Sequence, residues 1–412
     1  MVLLSRTINL NVIIMIKNWK FVLTIFFAFI NIMMVNCQEN YIEIDLSGKE
    51  MMKSEVLASD IATDISYVVL ETKPGTYISR IAKLELAKNR IIILNNTGVK
   101  RERILIFDLK GKFVSEIYKI GKGPGEYTGI SDFTYNPIGK TIIILDAHLK
   151  KVLVYSIEGI FIKEVFLEFR PNNIAFTQPD KIACFIPLQS ASRNSKGELV
   201  NTIVYDLNFQ SPKLIGSPSS NIIHNPYMVT TGGVGNHNGK LSFKPPFDNV
   251  IYTLNKNFEY ETHCVIDFGK REVPDDLYAD MFLMRERGKN YKYLMHTLET
   301  KDFFFIKYRY KGEICLYVFN KPKEKLTKLG MEKEGHGIKN DIDGSLRIWP
   351  RKVSGQNILI SYYDSIDLLE YYNNYGLQEV KAEYDYHRNK LLDIINDLNE
   401  ESNPVIQIIN LK

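Results

Sequence analysis

Four cysteines in 412 residues are too few and too widely spaced for a disulfide framework, and no pair has the C-x-x-C spacing of a metal site. Cys184, Cys264 and Cys315 sit among apolar or β-favouring neighbours and read as buried free thiols, because free cysteine behaves as a small core hydrophobe. Tryptophan is scarce, with 2 residues against 24 Tyr and 22 Phe. An excess of one charge sign is missing as well. The 52 basic residues fall to 49 without Arg6, Lys17 and Lys20 of the N-terminal 36, which hold no acid, and face 48 acidic residues. A near-neutral chain without a long basic run lacks the electrostatic footprint of a nucleic-acid binder. With 45% hydrophobic and 24% charged residues, disordered and collagen-like chains are excluded. Aromatics at 12%, nearly all Tyr and Phe, favour half-buried pleated surfaces and so an all-β fold.

Catalytic and metal motifs are also lacking. The seven histidines, His148, His224, His237, His263, His296, His336 and His387, are scattered, with neither H-E-x-x-H nor any pair at metal-ligand spacing. No G-x-S-x-G nucleophile elbow occurs. Gly121-Lys122-Gly123-Pro124-Gly125 lacks the spacing of a phosphate-binding loop and opens no evident helix. Its glycines suit a tight crossing between strands with positive φ. Gly233-Val234-Gly235-Asn236-His237-Asn238 departs from G-x-G-x-x-G at Asn238, and residues 232–239 read as a flexible loop.

What is present is an internal repeat. Arg90-Ile91-Ile92-Ile93-Leu94-Asn95 returns 51 residues later as Thr141-Ile142-Ile143-Ile144-Leu145-Asp146, and the segment 104–114 returns 48 residues later as 152–162. Each unit reads strand, loop, strand, turn, strand, with Asp108-Leu109-Lys110-Gly111 and Ser156-Ile157-Glu158-Gly159 supplying the reversals. A period near 50 built only of strands is the signature of propeller blades. Fainter copies follow at 181–186 with 203–207, 240–243 with 249–254, 303–310 with 313–319, and 346–349 with 357–363, making six. The strand-like end, residues 405–411, is expected to complete a blade begun by residues 65–70 and so to close the ring. Small helical decorations are expected from Pro274 to about Met284, and around Leu391, Ile394, Ile395 and Leu398. Tyr371, Tyr372, Tyr375, Tyr384 and Tyr386 either pack the second helix against the propeller or offer faces to a sugar.

The N-terminal segment has the shape of an export signal. Lys17, Trp19 and Lys20 precede a mostly apolar stretch over residues 21–35 that is short for a membrane span. Met15 is a candidate start, since residues 15–20 form a compact basic region. Met34-Val35-Asn36-Cys37 resembles the lipobox of bacterial lipoproteins, with Asn36 where Gly, Ala or Ser is usual. The resemblance implies that Cys37 is acylated and becomes the first mature residue; a plain signal peptide or an uncleaved apolar anchor is the alternative. Gln38-Glu39-Asn40 looks like the short polar stretch that sends some such lipoproteins to the cell surface.

Beyond residue 41 the chain resembles the six-bladed β-propeller family of Bacteroidetes lipoproteins, itself similar to NHL-repeat propellers. The resemblance rests on residues 120–127, 242–252, 265–270 leading to Pro274, Asn340-Asp341-Ile342-Asp343-Gly344, and Asn403-Pro404-Val405. It implies an architecture and an envelope location without a settled activity. The expected organisation is therefore a signal peptide over 1–36 and one six-bladed propeller over 37–412. The expected function is that of an envelope-anchored, non-catalytic binding module for a protein, peptide or glycan, facing the periplasm or the cell surface from the outer membrane. No cofactor, catalytic residue or metal ligand can be assigned. The alternative is a metal-dependent lactonase or lyase, whose site would need scattered Asp, Glu, Asn or His side chains to converge on the central channel.

Overall fold

A computed structural model describes residues 41–48, 54–96, 98, 102–177, 179–187, 191–218, 233–237, 240–245, 248–274, 277, 280–332 and 335–412. The proposed signal peptide, the alternative start Met15 and the lipid-attachment residue Cys37 lie outside the described residues.

The chain opens with β1 (Ile42–Asp45), α1 (Ala58–Ile61) and β2 (Ala62–Val69), and then lays down antiparallel sheets in strict succession. Blade 1 is β3 (Ile81–Ala87), β4 (Arg90–Asn95), β5 (Arg103–Asp108) and β6 (Phe113–Ile117). Blade 2 is β7 (Asp132–Asn136), β8 (Thr141–Asp146), β9 (Lys151–Ser156) and β10 (Phe161–Phe166). Blade 3 follows as β11 (Asn173–Thr177), β12 (Lys181–Phe185), β13 (Val200–Asp206) and β14 (Lys213–Gly216). Blade 4 consists of β15 (Gly233–His237), β16 (Lys240–Lys244), β17 (Val250–Leu254) and β18 (Tyr260–Asp267), with β1 added at its outer edge. After α2 (Met281–Arg287), blade 5 runs through β19 (Tyr293–Glu299), β20 (Phe303–Tyr310), β21 (Glu313–Asn320) and β22 (Lys325–Lys328). A short ribbon, β23 (Met331–Glu332) and β24 (Gly335–His336), precedes blade 6, which begins with β25 (Lys352–Ser354) and β26 (Ile358–Tyr363). Helices α3 (Ser365–Tyr375) and α4 (Asp385–Asp397) then intervene before β27 (Val405–Leu411).

Blade 6 takes its third strand from the C-terminal end and its fourth from near the N-terminal end, in the order β25, β26, β27, β2. Ile65 faces Ile409 and Val69 faces Val405 across the antiparallel seam. The first strands β3, β7, β11, β15, β19 and β25 neighbour one another in turn, and β25 returns to β3. The result is a closed six-bladed β-propeller.

The repeat is legible because middle strands are buried on both faces between adjacent blades and so lose the polar alternation of a half-exposed strand. Ile91, Ile92, Ile93, Ile104, Leu105 and Ile106 are all fully buried. They divide between two cores: Ile92, Ile104 and Ile106 pack toward blade 2, while Ile91, Ile93 and Leu105 pack toward blade 6. At the blade 1 hairpin, Asp108 Oδ1 accepts from the Lys110 and Lys112 amides at 2.8 and 2.9 Å. Gly111 there has φ +83°, and a Cβ would stand 1.9 Å from the Val69 carbonyl oxygen. Only glycine fits that turn beneath β2.

Two expectations are corrected. Residues 346–349 are not the first strand of blade 6; that role falls to β25. Residues 340–345 are instead held in a turn by Asp343, which accepts from the Tyr67 hydroxyl (2.7 Å), Asn340 Nδ2 (2.7 Å) and the Ser345 amide (3.0 Å). The stretch 232–239, read as a loop, contains β15, paired in register with β16 from Gly233 opposite Lys244 to His237 opposite Lys240. The helical decoration expected from Pro274 to about Met284 is seen in part: Leu277 is helical and its amide donates to the Pro274 carbonyl at 3.1 Å, and α2 starts at Met281, where Asp280 caps it by accepting from the Phe282 and Leu283 amides; residues 275–276 and 278–279 lie outside the described residues.

Helices α3 and α4 pack on blade 6 through Leu368, Tyr371, Leu391, Ile395 and Val405. This settles Tyr371 as a packing residue, while Tyr372 and Tyr384 are half-buried and Tyr375 and Tyr386 face outward. The three remaining cysteines are free and buried as expected, and burial pushes the Cys184 and Cys264 thiols well above the ordinary range.

Candidate functional site: the central channel

The first strands of the blades enclose a cavity of about 1680 Å³. Its walls mix polar and apolar groups in about equal share, because these strands present one face to water, unlike the strands behind them. One side is fastened by complementary charges. Lys83 on β3 meets Asp132 on β7 at 2.7 Å, and Lys352 on β25 meets Glu85 on β3 at 2.6 Å. Asp132 also accepts from the Ile174 amide on β11 at 3.0 Å, so one carboxylate ties three blades. Burial alone would lower the Lys83 ammonium, but Asp132 and Glu85 raise it above its ordinary value. For Lys352 burial outweighs Glu85 and the pKa is lowered. Between blades 4 and 5, Glu299 accepts from His263 Nε2 at 2.7 Å and from Lys321 Nζ at 2.5 Å. Burial opposes that carboxylate's ionisation, yet these two partners hold its pKa below normal.

The wall formed by blades 5 and 6 is different. His296 on β19 stands directly opposite Lys307 on β20, and both line the cavity with Arg351, which immediately precedes β25. A cation opposite an imidazole across two strands disfavours its protonation. The register of β19 slips between Leu294 and His296, and such a bulge re-aims the side chain that follows it. His296 is open to channel water yet ringed by protein. Its pKa falls to about 4, through burial first and then the charges of Lys307, Arg351 and Lys244. Lys307 is lowered by burial, Arg351 and Arg309. The Arg351 guanidinium lies over the Tyr362 ring at 5.3 Å. Burial and the neighbouring Asp367 raise the Asp364 carboxyl above its ordinary value, with the Arg351 charge opposing them, and among the described residues neither Lys307 nor Arg351 forms an ion pair with a carboxylate.

The sequence singled out His296 only as one of seven dispersed histidines, and Lys307 and Arg351 not at all. Of the others, His263 pairs with Glu299, and His387 Nδ1 lies 3.6 Å from Asp64 on the α4 side; His224 and His237 fall where no side chain is described. Among the described residues no group of three or more His, Cys, Asp and Glu side chains is placed to hold a metal ion.

The Gly121–Gly125 loop is occupied by the protein itself. The Glu126 carboxylate accepts from the Gly123 amide at 2.8 Å, and Glu164 accepts from the Gly125 amide at 3.1 Å and from buried Lys151 at 2.8 Å. Amides that would cradle a phosphate already hold carboxylates. Gly125 has the expected positive φ of +71°; Gly121 is constrained differently, since a Cβ there would meet the Glu126 carboxylate at 2.0 Å.

Residues 41–410 match the family described as Domain of unknown function (DUF4934). The chain belongs to this family. Among solved structures it is similar to a Bacteroides fragilis protein described as a candidate exported protein, with a TM-score of 0.69 and 17% identity over 90% of this chain and all of that one. A member of the DUF4221 family from Bacteroides vulgatus aligns at 12% identity with a TM-score of 0.46, over 88% of this chain and 99% of its own. No curated protein matches. Among the described residues no helix is long and apolar enough to cross a membrane.

Proposed function

We propose that this DUF4934 member is an exported, lipid-anchored propeller that binds a ligand in its central channel and performs no chemistry on it. The observation that carries this reading is the cavity of about 1680 Å³, walled by strands whose ion pairs cross from blade to blade. A concave site fixed in advance loses little freedom on binding. Export and anchoring are supported by the basic and apolar N-terminal segment ending at Cys37, and by the similarity to a protein described as a candidate exported one. The partner on this reading is an envelope protein, peptide or glycan.

The test is binding of the purified full-length protein to glycan and peptide arrays, alongside Ala82→Trp. Ala82 lines the cavity, and an indole there narrows it. Capture by the wild type and its loss in Ala82→Trp, with unchanged thermal unfolding, supports a channel ligand; equal capture by both proteins places the ligand elsewhere and overturns the reading.

A further inference from the structure

We infer that the channel ligand is anionic, presenting a carboxylate or phosphate group that is held between blades 5 and 6 by Lys307 and Arg351 with His296 beside them. The inference rests on the channel reading above and specifies its chemistry.

The argument turns on an imbalance in the channel wall. Lys83, Lys352, Glu85, Asp132 and Glu299 are partnered within the protein at 2.5 to 2.7 Å. Beside these pairs, Lys307 and Arg351 share the cavity without an ion-paired carboxylate among the described residues, and the His296 imidazole stands in register with Lys307. Repulsion between the Lys307 and Arg351 charges opposes folding. A local rule broken without compensation inside the fold is expected where a ligand supplies the missing charge. The positions are also supported: β20 is an interior strand of its sheet, hydrogen-bonded to β19 and β21. The Arg351 amide donates to the Ile360 carbonyl at 2.8 Å, and Tyr362 lies under the guanidinium. An arginine so placed presents a planar fork that fits two oxygens of one oxyanion, while the lysine adds a point charge.

Isothermal titration of the full-length protein with citrate and with inorganic pyrophosphate, at low salt and with glucose as a neutral control, tests the inference. Citrate and pyrophosphate separate carboxylate from phosphoryl recognition. The expected result is saturable binding of at least one anion, weakened about tenfold or more by Lys307→Gln and by Arg351→Gln, since each removes a charge-assisted contact. Lys122→Gln, an exposed change on a distant loop, is expected to bind as the wild type does. Both channel variants are expected to unfold at or above the wild-type temperature because repulsion is relieved, so lost binding would not reflect lost structure. Absence of binding by either anion, or affinities unmoved by Lys307→Gln and Arg351→Gln, overturns the inference. If the anions fail while Ala82→Trp still abolishes capture of a neutral glycan or peptide, the channel reading stands and only its anionic chemistry falls. If neither Ala82→Trp nor the charge variants alter any binding, both fall.

Discussion

Lys83 Nζ reaches Asp132 from the neighbouring blade at 2.7 Å and the Phe133 carbonyl at 2.6 Å. Asp132 in turn accepts from the Phe133 amide at 2.8 Å and from the Ile174 amide of a third blade at 3.0 Å. The pair is a joint between blades, and its two members are unequal: the Asp132 side chain is 8% exposed and that of Lys83 is 28% exposed.

Removing the acid is therefore expected to cost more than removing the base. Asp132→Ala strands a lysine and two amides and should destabilise by about 2–4 kcal/mol. Lys83→Met leaves a carboxylate still bonded to amides and should cost about 1 kcal/mol. Urea unfolding of the two variants checks this, and equal losses would show that the carboxylate does not join the blades.

His296 gives the folded state a defined acid sensitivity. Its pKa is depressed to about 4 from an ordinary 6.5 by burial and by Lys307, Arg351 and Lys244. Between those values the unfolded chain binds more protons than the folded one, so stability is expected to fall as pH drops from 6.5 toward 4. His296→Gln removes this contribution, and thermal unfolding of wild type and variant between pH 7 and 4 should diverge. Parallel curves would mean that the imidazole is not held neutral.

The propeller was readable where burial is two-sided. Ile91 to Ile93 and Ile142 to Ile144 repeat because each pair of middle strands meets the same environment. The first strand of blade 4 was hidden by Gly233 and Gly235, residues depleted from strands. That of blade 6 was hidden because it has three half-buried residues, Lys352–Ser354, of which Val353 alone is apolar and packs on the core, too short a run for a strand period to show. The cationic wall was illegible for another reason. His296, Lys307 and Arg351 are separated by 11 and 44 positions, and only strand pairing and ring closure bring them together.

The cysteines offer a count that reports on the anchor. Cys184, Cys264 and Cys315 are buried and free, so a maleimide probe is expected to leave them unmodified in the native protein. In denaturant three thiols should react if Cys37 carries a thioether-linked lipid, and four if Cys37 is retained with a free thiol. Cys37→Ala should then move the protein from the membrane to the soluble fraction. Three reactive thiols with Cys37→Ala still in the membrane would sink the lipid assignment.

Closure of the ring depends on Asn403, just before β27. Its Oδ1 accepts from the Ile78 amide at 2.8 Å, and its Nδ2 donates to the carbonyls of Glu71 and Thr76, both at 2.9 Å. One buried amide side chain thus fastens the start of the last strand to the segment leaving β2 for blade 1. Asn403→Ala strands the Ile78 amide and takes a donor from the Thr76 carbonyl, while the Glu71 carbonyl keeps the Thr76 hydroxyl at 2.9 Å, and it is expected to cost about 2–4 kcal/mol. Asn403→Asp keeps an acceptor for Ile78 but turns a carboxylate toward two carbonyl oxygens, so at neutral pH it should be the worse of the two. Protonating that carboxyl restores one donor, and the gap between the variants should narrow as pH falls below the carboxylate range. Urea unfolding at pH 7 and pH 4 measures both effects. If Asn403→Ala unfolds within about 0.5 kcal/mol of the wild type, the seam is held by the strand pairing of β2 and β27 alone.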